Sequence, residues 1–171
     1  MQEMNKHICI YPGSFDPPTK GHMDIIERAA SIFDVVVVLM SINTNKNCQF
    51  SASERMDMLE KCCMDLPNVR VEYFEGLSTT YARVSGIGCM VRGLRTMADF
   101  ESEQALAQIN ARIDPDVETV FLMCKPEHRM ISSSAVREMA YFGCDFSEYV
   151  PLCIVKDIMK HYIPKLPHKR K

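Results

Sequence analysis

A doubly wound α/β protein, with a five-stranded parallel sheet and helices on both faces, is the fold class this sequence predicts. Three observations carry that prediction. Short apolar runs alternate with stretches of helical spacing through five candidate strands. The second run, Val35-Val-Val-Val-Leu-Met40, has no polar alternation, which marks a strand covered on both faces, as in a parallel sheet. The first run, His7-Ile-Cys-Ile-Tyr11, stops at Pro12-Gly13, a strand followed by a turn.

Taken in order, residues 7–11 form the first strand. Residues 23–33 follow as a helix, with Ile25, Ile26, Ala29 and Ile32 on one face. The strand at 34–40 leads into a polar loop at 41–50. Ser51-Ala-Ser-Glu-Arg55 opens a helix reaching about residue 64, and the three-residue spacing of Ser51 and Glu54 suits a capping box. Then come a strand at 69–74, a short helix at 79–85, a strand at 88–92, a long helix at 98–112 and a strand at 118–123. Helices at 132–142 and 150–162 complete the pattern, the last with Pro151 near its first turn. A single domain over residues 1–162 is expected, followed by a basic, Pro-punctuated, flexible tail at 163–171.

Composition narrows the class. At 47% hydrophobic and 25% charged residues, the chain is neither disordered nor collagenous. A formal net charge of −2 gives no case for bulk binding to nucleic acid or membrane. No run approaches the roughly 18 apolar residues of a membrane span. Residues 1–6 are polar and lack a signal-peptide core, so a cytoplasmic location is expected. The eight cysteines include no Cys-x-x-Cys pair, and Cys9, Cys89 and Cys124 lie in apolar runs. Reduced, mostly buried thiols are the expectation. Thirteen methionines and no tryptophan point to a core filled by flexible thioethers.

In an open parallel sheet, ligands bind beyond the carboxyl ends of the strands. The loops there carry Ser, His, Lys, Arg and Gly, all partners for phosphate. In the first, Gly13 is expected to let the backbone approach a ligand, Ser14 to offer a hydroxyl, and Gly21-His22 to open a helix. Free N–H groups and the positive end of the helix dipole favour an anion there, and the imidazole can donate to a phosphate oxygen. The alternative is a histidine that only caps the helix. Lys46, taken alone, reads as a solvated loop charge. Arg92 and Arg95 flank Gly93 at the end of a strand and can clamp phosphate oxygens. They can equally pair with Asp99, Glu101 or Glu103 downstream. Ser132, Ser133 and Ser134 fit a helix cap or a cradle for phosphate or ribose. There is no Gly-x4-Gly-Lys-Ser/Thr, Gly-x-Gly-x-x-Gly or Gly-x-Ser-x-Gly pattern, and no His or Cys pair at metal-ligand spacing.

Pro12-Gly-Ser-Phe-Asp-Pro-Pro-Thr-Lys-Gly-His22 resembles the phosphate loop of the nucleotidylyltransferase superfamily. With Arg92-Gly-Leu-Arg-Thr-Met-Ala-Asp-Phe-Glu and Ile131-Ser-Ser-Ser-Ala-Val-Arg, the chain resembles the bacterial phosphopantetheine adenylyltransferases over about residues 8–162. The resemblance implies a Rossmann-like fold and reversible adenylyl transfer from ATP to 4′-phosphopantetheine. The products are dephospho-coenzyme A and pyrophosphate, in the penultimate step of coenzyme A biosynthesis. It implies catalytic roles for His22, Ser14, Lys46 and Arg92. ATP binding falls to Ser14, Phe15, His22, Gly93, Leu94, Arg95, Glu103 and the run His128, Arg129, Met130, Ile131, Ser132, Ser133, Ser134. Phosphopantetheine falls to Ser14, Lys46, Ser78 and Arg92. Mg²⁺ is expected to ride on the ATP phosphates with no protein ligand, a homohexamer is expected, and coenzyme A is an expected feedback inhibitor. Two departures stand out: His128-Arg-Met130 replaces an aromatic-led run, and Asn47 replaces a second lysine. Rival readings are transfer to nicotinate mononucleotide, use of a cytidylyl donor, and a non-catalytic nucleotide-binding regulator.

Overall fold

The computed structural model describes residues 7–41 and 47–162, and in it five parallel strands stand in the order β3-β2-β1-β4-β5. The elements in chain order are β1 (Ile8–Gly13), α1 (Lys20–Ile32), β2 (Val35–Ser41), α2 (Ala52–Cys63), β3 (Val69–Phe74), α3 (Ser78–Ser85), β4 (Cys89–Leu94), α4 (Met97–Ile113), β5 (Glu118–Met123), α5 (Ser133–Tyr141) and α6 (Val155–Tyr162). From β1 the chain winds outward to β2 and β3, then returns to the other side of β1 for β4 and β5. The reversal lies between β1 and β4, where such a sheet opens a crevice at its carboxyl edge.

Alternation along the central strands builds two cores. Cys9 and Tyr11 of β1 join Val36, Val38 and Met40 of β2 against Met23, Ile25, Ile26 and Ala29 of α1 and Leu59 and Cys63 of α2. Ile10, Val37, Leu39 and Met90 face the other way, onto Tyr81, Ala82 and Ile87 in and after α3. That is why the β2 run lacks polar positions: both faces are covered. A third cluster joins Phe50 and Met58 to Val136 and Ala140 of α5 and Ile158 and Tyr162 of α6. The C-terminal helices thus pack against α2, and α5 also bonds to the loop after β1.

Several boundaries differ from the sequence expectation, each for a physical reason. Helix α1 begins at Lys20, not 23, because Thr19 caps it. Its first turn borders a cleft, so the apolar period starts only at Met23. Strand β1 continues through Pro12 and Gly13, which pair with Leu39 and Met40. Pro12 has no N–H to give, and its carbonyl accepts from the Arg92 side chain at 2.8 Å. Strand β4 likewise continues through Arg92, Gly93 and Leu94. The last helix is shorter than the expected 150–162. Residues Leu152–Ile154 form a 3₁₀ turn, closed by Ile154 N–H to the Pro151 carbonyl, and α6 starts at Val155. Another 3₁₀ turn, Pro126–His128, lies inside what reads in sequence as plain loop.

Burial of the thiols is less complete than expected. Cys9 and Cys63 are buried, Cys48, Cys62, Cys89 and Cys124 are half-buried, and Cys144 and Cys153 are exposed, all of them free. Helix α4 buries no residue; Leu106, Ile109 and Ile113 are exposed along it. No described helix is long and apolar enough to cross a membrane.

Candidate active site

A cleft of about 800 Å³ opens at the carboxyl edge of the sheet. Every strand end contributes to it: Pro12 and Gly13 from β1, Ser41 from β2, Gly76 and Leu77 after β3, Arg92 and Gly93 from β4, and Cys124 after β5.

His22 is the third residue of α1 and forms a reciprocal cap with Thr19. The Thr19 hydroxyl accepts the His22 N–H at 3.3 Å, and the Thr19 N–H donates to His22 Nδ1 at 3.1 Å. A backbone N–H can only donate, so Nδ1 is the acceptor nitrogen, and the ring proton of the neutral imidazole sits on Nε2. The ring also packs edge-on against Phe15, with centroids 5.1 Å apart. The capping reading of Gly-His is the one observed, and the same histidine lines the cleft.

The arginines resolve in a similar way. Arg92 is held in a fork-to-fork pair with Glu103 of α4, Nε to Oε2 at 2.6 Å and Nη2 to Oε1 at 2.7 Å. Burial works against its charge, but the pairing with Glu103 outweighs it and holds the guanidinium above its ordinary range. The neighbouring Tyr11 phenol is pushed up to about 12, chiefly by burial. It is therefore neutral at any physiological pH. Arg95 pairs with Asp99 at 3.0 Å and donates to the Ile131 carbonyl at 3.0 Å. It thereby ties the end of β4 to the segment leading into α5. Glu103, expected at the nucleotide, serves in this structure as the carboxylate that orients Arg92.

Ser14, His22, Ser78, Arg92, Gly93, Arg95, Glu103, Ile131, Ser132, Ser133 and Ser134 all line this cleft. Ser132 caps α5, its hydroxyl accepting the Ala135 N–H at 3.1 Å, and Ser133 donates to the Pro17 carbonyl at 2.8 Å. The capping reading of the triple serine holds, and the same short segment lines the cleft. The remaining expected residues sit elsewhere. Phe15, 1% exposed, and Leu94 are core side chains under the cleft floor. His128, Arg129 and Met130 lie outside the lining, and Met130 is 84% exposed. Lys46 lies outside the described residues; its neighbour Asn47 lines the cleft.

Two glycines have reasons other than ligand approach. A Cβ on Gly13 would meet the Phe15 ring at 2.8 Å, and one on Gly93 would meet Ile25 Cγ1 at 2.9 Å. They make room for an aromatic ring and for α1 against β4. Gly21 differs. A Cβ there would find nothing nearer than 3.6 Å, and its backbone is not left-handed. Neither packing nor strain in the chain calls for glycine at that helix start.

A buried polar frame supports the first loop, and sequence reasoning passed over it. Asp16 accepts the N–H groups of Gln49 and Phe50 at 3.0 and 2.9 Å and pairs with Arg137 of α5 at 3.2 Å. Arg137 also donates to the Asp16 carbonyl, and to Ser134 Oγ at 3.2 Å. Arg55, only 5% exposed, donates to the carbonyls of Ser14 at 2.7 Å and Phe50 at 3.2 Å. Asp24, also buried, accepts the Lys125 N–H at 3.1 Å and so fastens the loop after β5 to α1. One signal was available for Arg55: it falls on the apolar stripe of α2 with Met58 and Leu59, where a charge needs a partner. Asp16 and Arg137 lie inside quoted motifs, but nothing in their spacing pairs them.

A parallel sheet of this order, with a helix start and two arginines at its switch point, defines a nucleotidyltransferase-like protein. Residues 10–139 match the family described as cytidylyltransferase-like. The solved structures agree in fold. A nicotinate-nucleotide adenylyltransferase structure from Vibrio parahaemolyticus superposes with a TM-score of 0.67 at 23% identity, covering 92% of this chain and 96% of that one. More specifically, the chain belongs to the phosphopantetheine adenylyltransferase family. It is 45% identical over 162 residues to the phosphopantetheine adenylyltransferase of Finegoldia magna, covering 95% of this chain and all of that protein. It is 46% identical over 155 residues to the one from Heliobacterium modesticaldum, covering 91% and 92% of the two chains.

Proposed function

We propose that this chain transfers an adenylyl group reversibly from ATP to 4′-phosphopantetheine, releasing pyrophosphate and dephospho-coenzyme A in the penultimate step of coenzyme A biosynthesis. The observation that carries the reading is that His22, on α1, and Arg92, at the end of β4, line one cleft, in a chain whose named relatives match it almost end to end.

The acceptor phosphate oxygen attacks the α-phosphorus of ATP, a new P–O bond forms, and the bond to the bridging oxygen of pyrophosphate breaks. A phosphate monoester is already largely a dianion at neutral pH and needs no general base. The protein's task is then to align two polyanions and to meet charge as it develops. His22, fixed as an Nε2–H donor by its cap, meets oxygens on which charge accumulates. Arg92, aimed by Glu103, holds acceptor phosphate together with Lys46 and the Ser14 hydroxyl. The start of α1 at Gly21 and the start of α5 at Ser132 to Ser134 receive the nucleotide phosphates and ribose, with Arg95 beside them. Ser78, at the first turn of α3, contacts the pantetheine arm.

Mg²⁺ belongs in this reading to the nucleotide, as a hard cation on phosphate oxygens. In the cleft, the carboxylates of Glu103 and Asp16 pair with Arg92 and Arg137. Among the described residues no group of three or more His, Cys, Asp or Glu side chains could hold a metal. Coenzyme A, which shares the pantetheine arm and the phosphates of the product, is assigned to the same cleft as a feedback inhibitor. The apolar stripe on α4 supports assembly of the chain into a homohexamer, and a cytoplasmic location completes the reading. Pyrophosphate release with ATP should require 4′-phosphopantetheine. Release with nicotinate mononucleotide instead would overturn the assignment.

A further inference from the structure

Cys62, in the last turn of α2, and Cys153, in the 3₁₀ turn before α6, stand outside the cleft. Their sulfurs are 3.8 Å apart although 91 positions separate them in the chain. The elements that carry them are already fastened on either side. Lys61 pairs with Asp157 at 2.8 Å, and Glu54 with His161 at 3.1 Å. Leu59 and Cys63 are buried against the sheet on one side of α2, while Ile154 and Ile158 are buried on the facing segment. A bond between these sulfurs would therefore join parts already in register. Bond formation would bring the sulfurs from contact to about 2.05 Å.

We propose that Cys62 and Cys153 are a modification site: an oxidisable dithiol that a low-molecular-weight disulfide, such as oxidised glutathione, converts to an intramolecular bridge between α2 and the C-terminal layer. Access sets the order of steps. The exposed Cys153 attacks first, as thiolate, its proton having gone to solvent. A mixed disulfide forms and one small thiolate leaves. Cys62 then gives up its proton, its sulfur attacks Cys153 Sγ, and the second small thiolate departs. Two protein thiols are oxidised, one small disulfide is reduced to two thiols, and the two protons released reprotonate the two leaving thiolates. Burial, then the neighbouring Cys153, pushes the Cys62 thiol up, which disfavours it as the first attacker; its place 3.8 Å from Cys153 is what lets it resolve the mixed disulfide.

The test uses the whole chain treated with oxidised glutathione and digested without reduction. The expected result is a cross-linked peptide pairing residues 62 and 153, with a melting temperature raised by roughly 5–10 °C and restored by dithiothreitol. Both changes should persist in Cys63→Ser and vanish in Cys153→Ser, a surface substitution that leaves the fold intact. A stable glutathione adduct on Cys153 with no bridge would overturn the proposal, as would a bridge that survives in Cys62→Ser. None of these readouts depends on the reaction assigned to the cleft.

Discussion

At the scale of single residues, the imidazole of His22 caps α1 and lines the cleft to which adenylyl transfer is proposed. The Thr19 N–H donates to Nδ1, which leaves Nε2 as the ring nitrogen that the proposed reading turns to the substrate. A donor there is worth most where charge appears only in the transition state. Replacing His22 with Ala should lower kcat by roughly 10²–10³ and leave the KM for ATP within a few-fold. Steady-state kinetics checks this, and an unchanged kcat would remove the role. Gly21 offers a sharper separation. Alanine fits its surroundings and is the better helix former, so Gly21→Ala should stabilise the fold by about 0.5 kcal/mol. The added methyl would stand where the nucleotide phosphates approach the helix start, so turnover should fall at least tenfold. A thermal melt and an activity assay on one preparation test both halves. A variant with full activity would place the phosphates elsewhere.

At the scale of elements, the start of α2 presents a capping box. The Ser51 hydroxyl accepts the Glu54 N–H at 3.2 Å, and Glu54 accepts the Ser51 N–H at 2.8 Å. Ser51→Ala should cost about 1 kcal/mol in a denaturant melt. Slight burial opposes ionisation of Glu54. The hydrogen bonds from the Ser51 backbone and hydroxyl, and then from His161, outweigh it and hold the carboxyl below its ordinary 4.5. A depressed carboxyl contributes stability above its unfolded value and loses it as pH falls through the folded one. The stability gap between the parent chain and Glu54→Gln should therefore close as pH falls below about 5. A gap that widened in acid would contradict the sign. The same helix shows what local pattern misses. Its apolar stripe reads as pure core, yet Arg55 lies on it and spends its charge on the carbonyls of Ser14 and Phe50.

At the scale of the whole molecule, α4 stands apart. It runs beside the cleft, giving Glu103 and Leu106 to the lining, and leaves Leu106, Ile109 and Ile113 uncovered. An apolar stripe of this kind marks a contact surface. If the proposed assembly forms through α4, Ile109→Asp should reduce the mass seen in analytical ultracentrifugation and leave the far-ultraviolet circular dichroism unchanged; an unaltered mass would remove α4 from that role. Because α4 also holds Glu103, which orients Arg92, loss of assembly should be accompanied by loss of turnover.

The sequence by itself determined the order of strands and helices, the burial of β2 on both faces and the loops where chemistry would gather. Each of these is written in spacing: periods of 3.6 and 2, and turn residues at the ends of runs. It also carried most of the residues that line the cleft. Only the tertiary structure decided which of them meet. Arg92 chose Glu103 over Asp99, Asp16 found Arg137 at a separation of 121 positions, and Gly13 and Gly93 turned out to serve packing. Such pairings depend on how strand ends and helix starts converge after the sheet has closed, and spacing along a chain records nothing about distance across it.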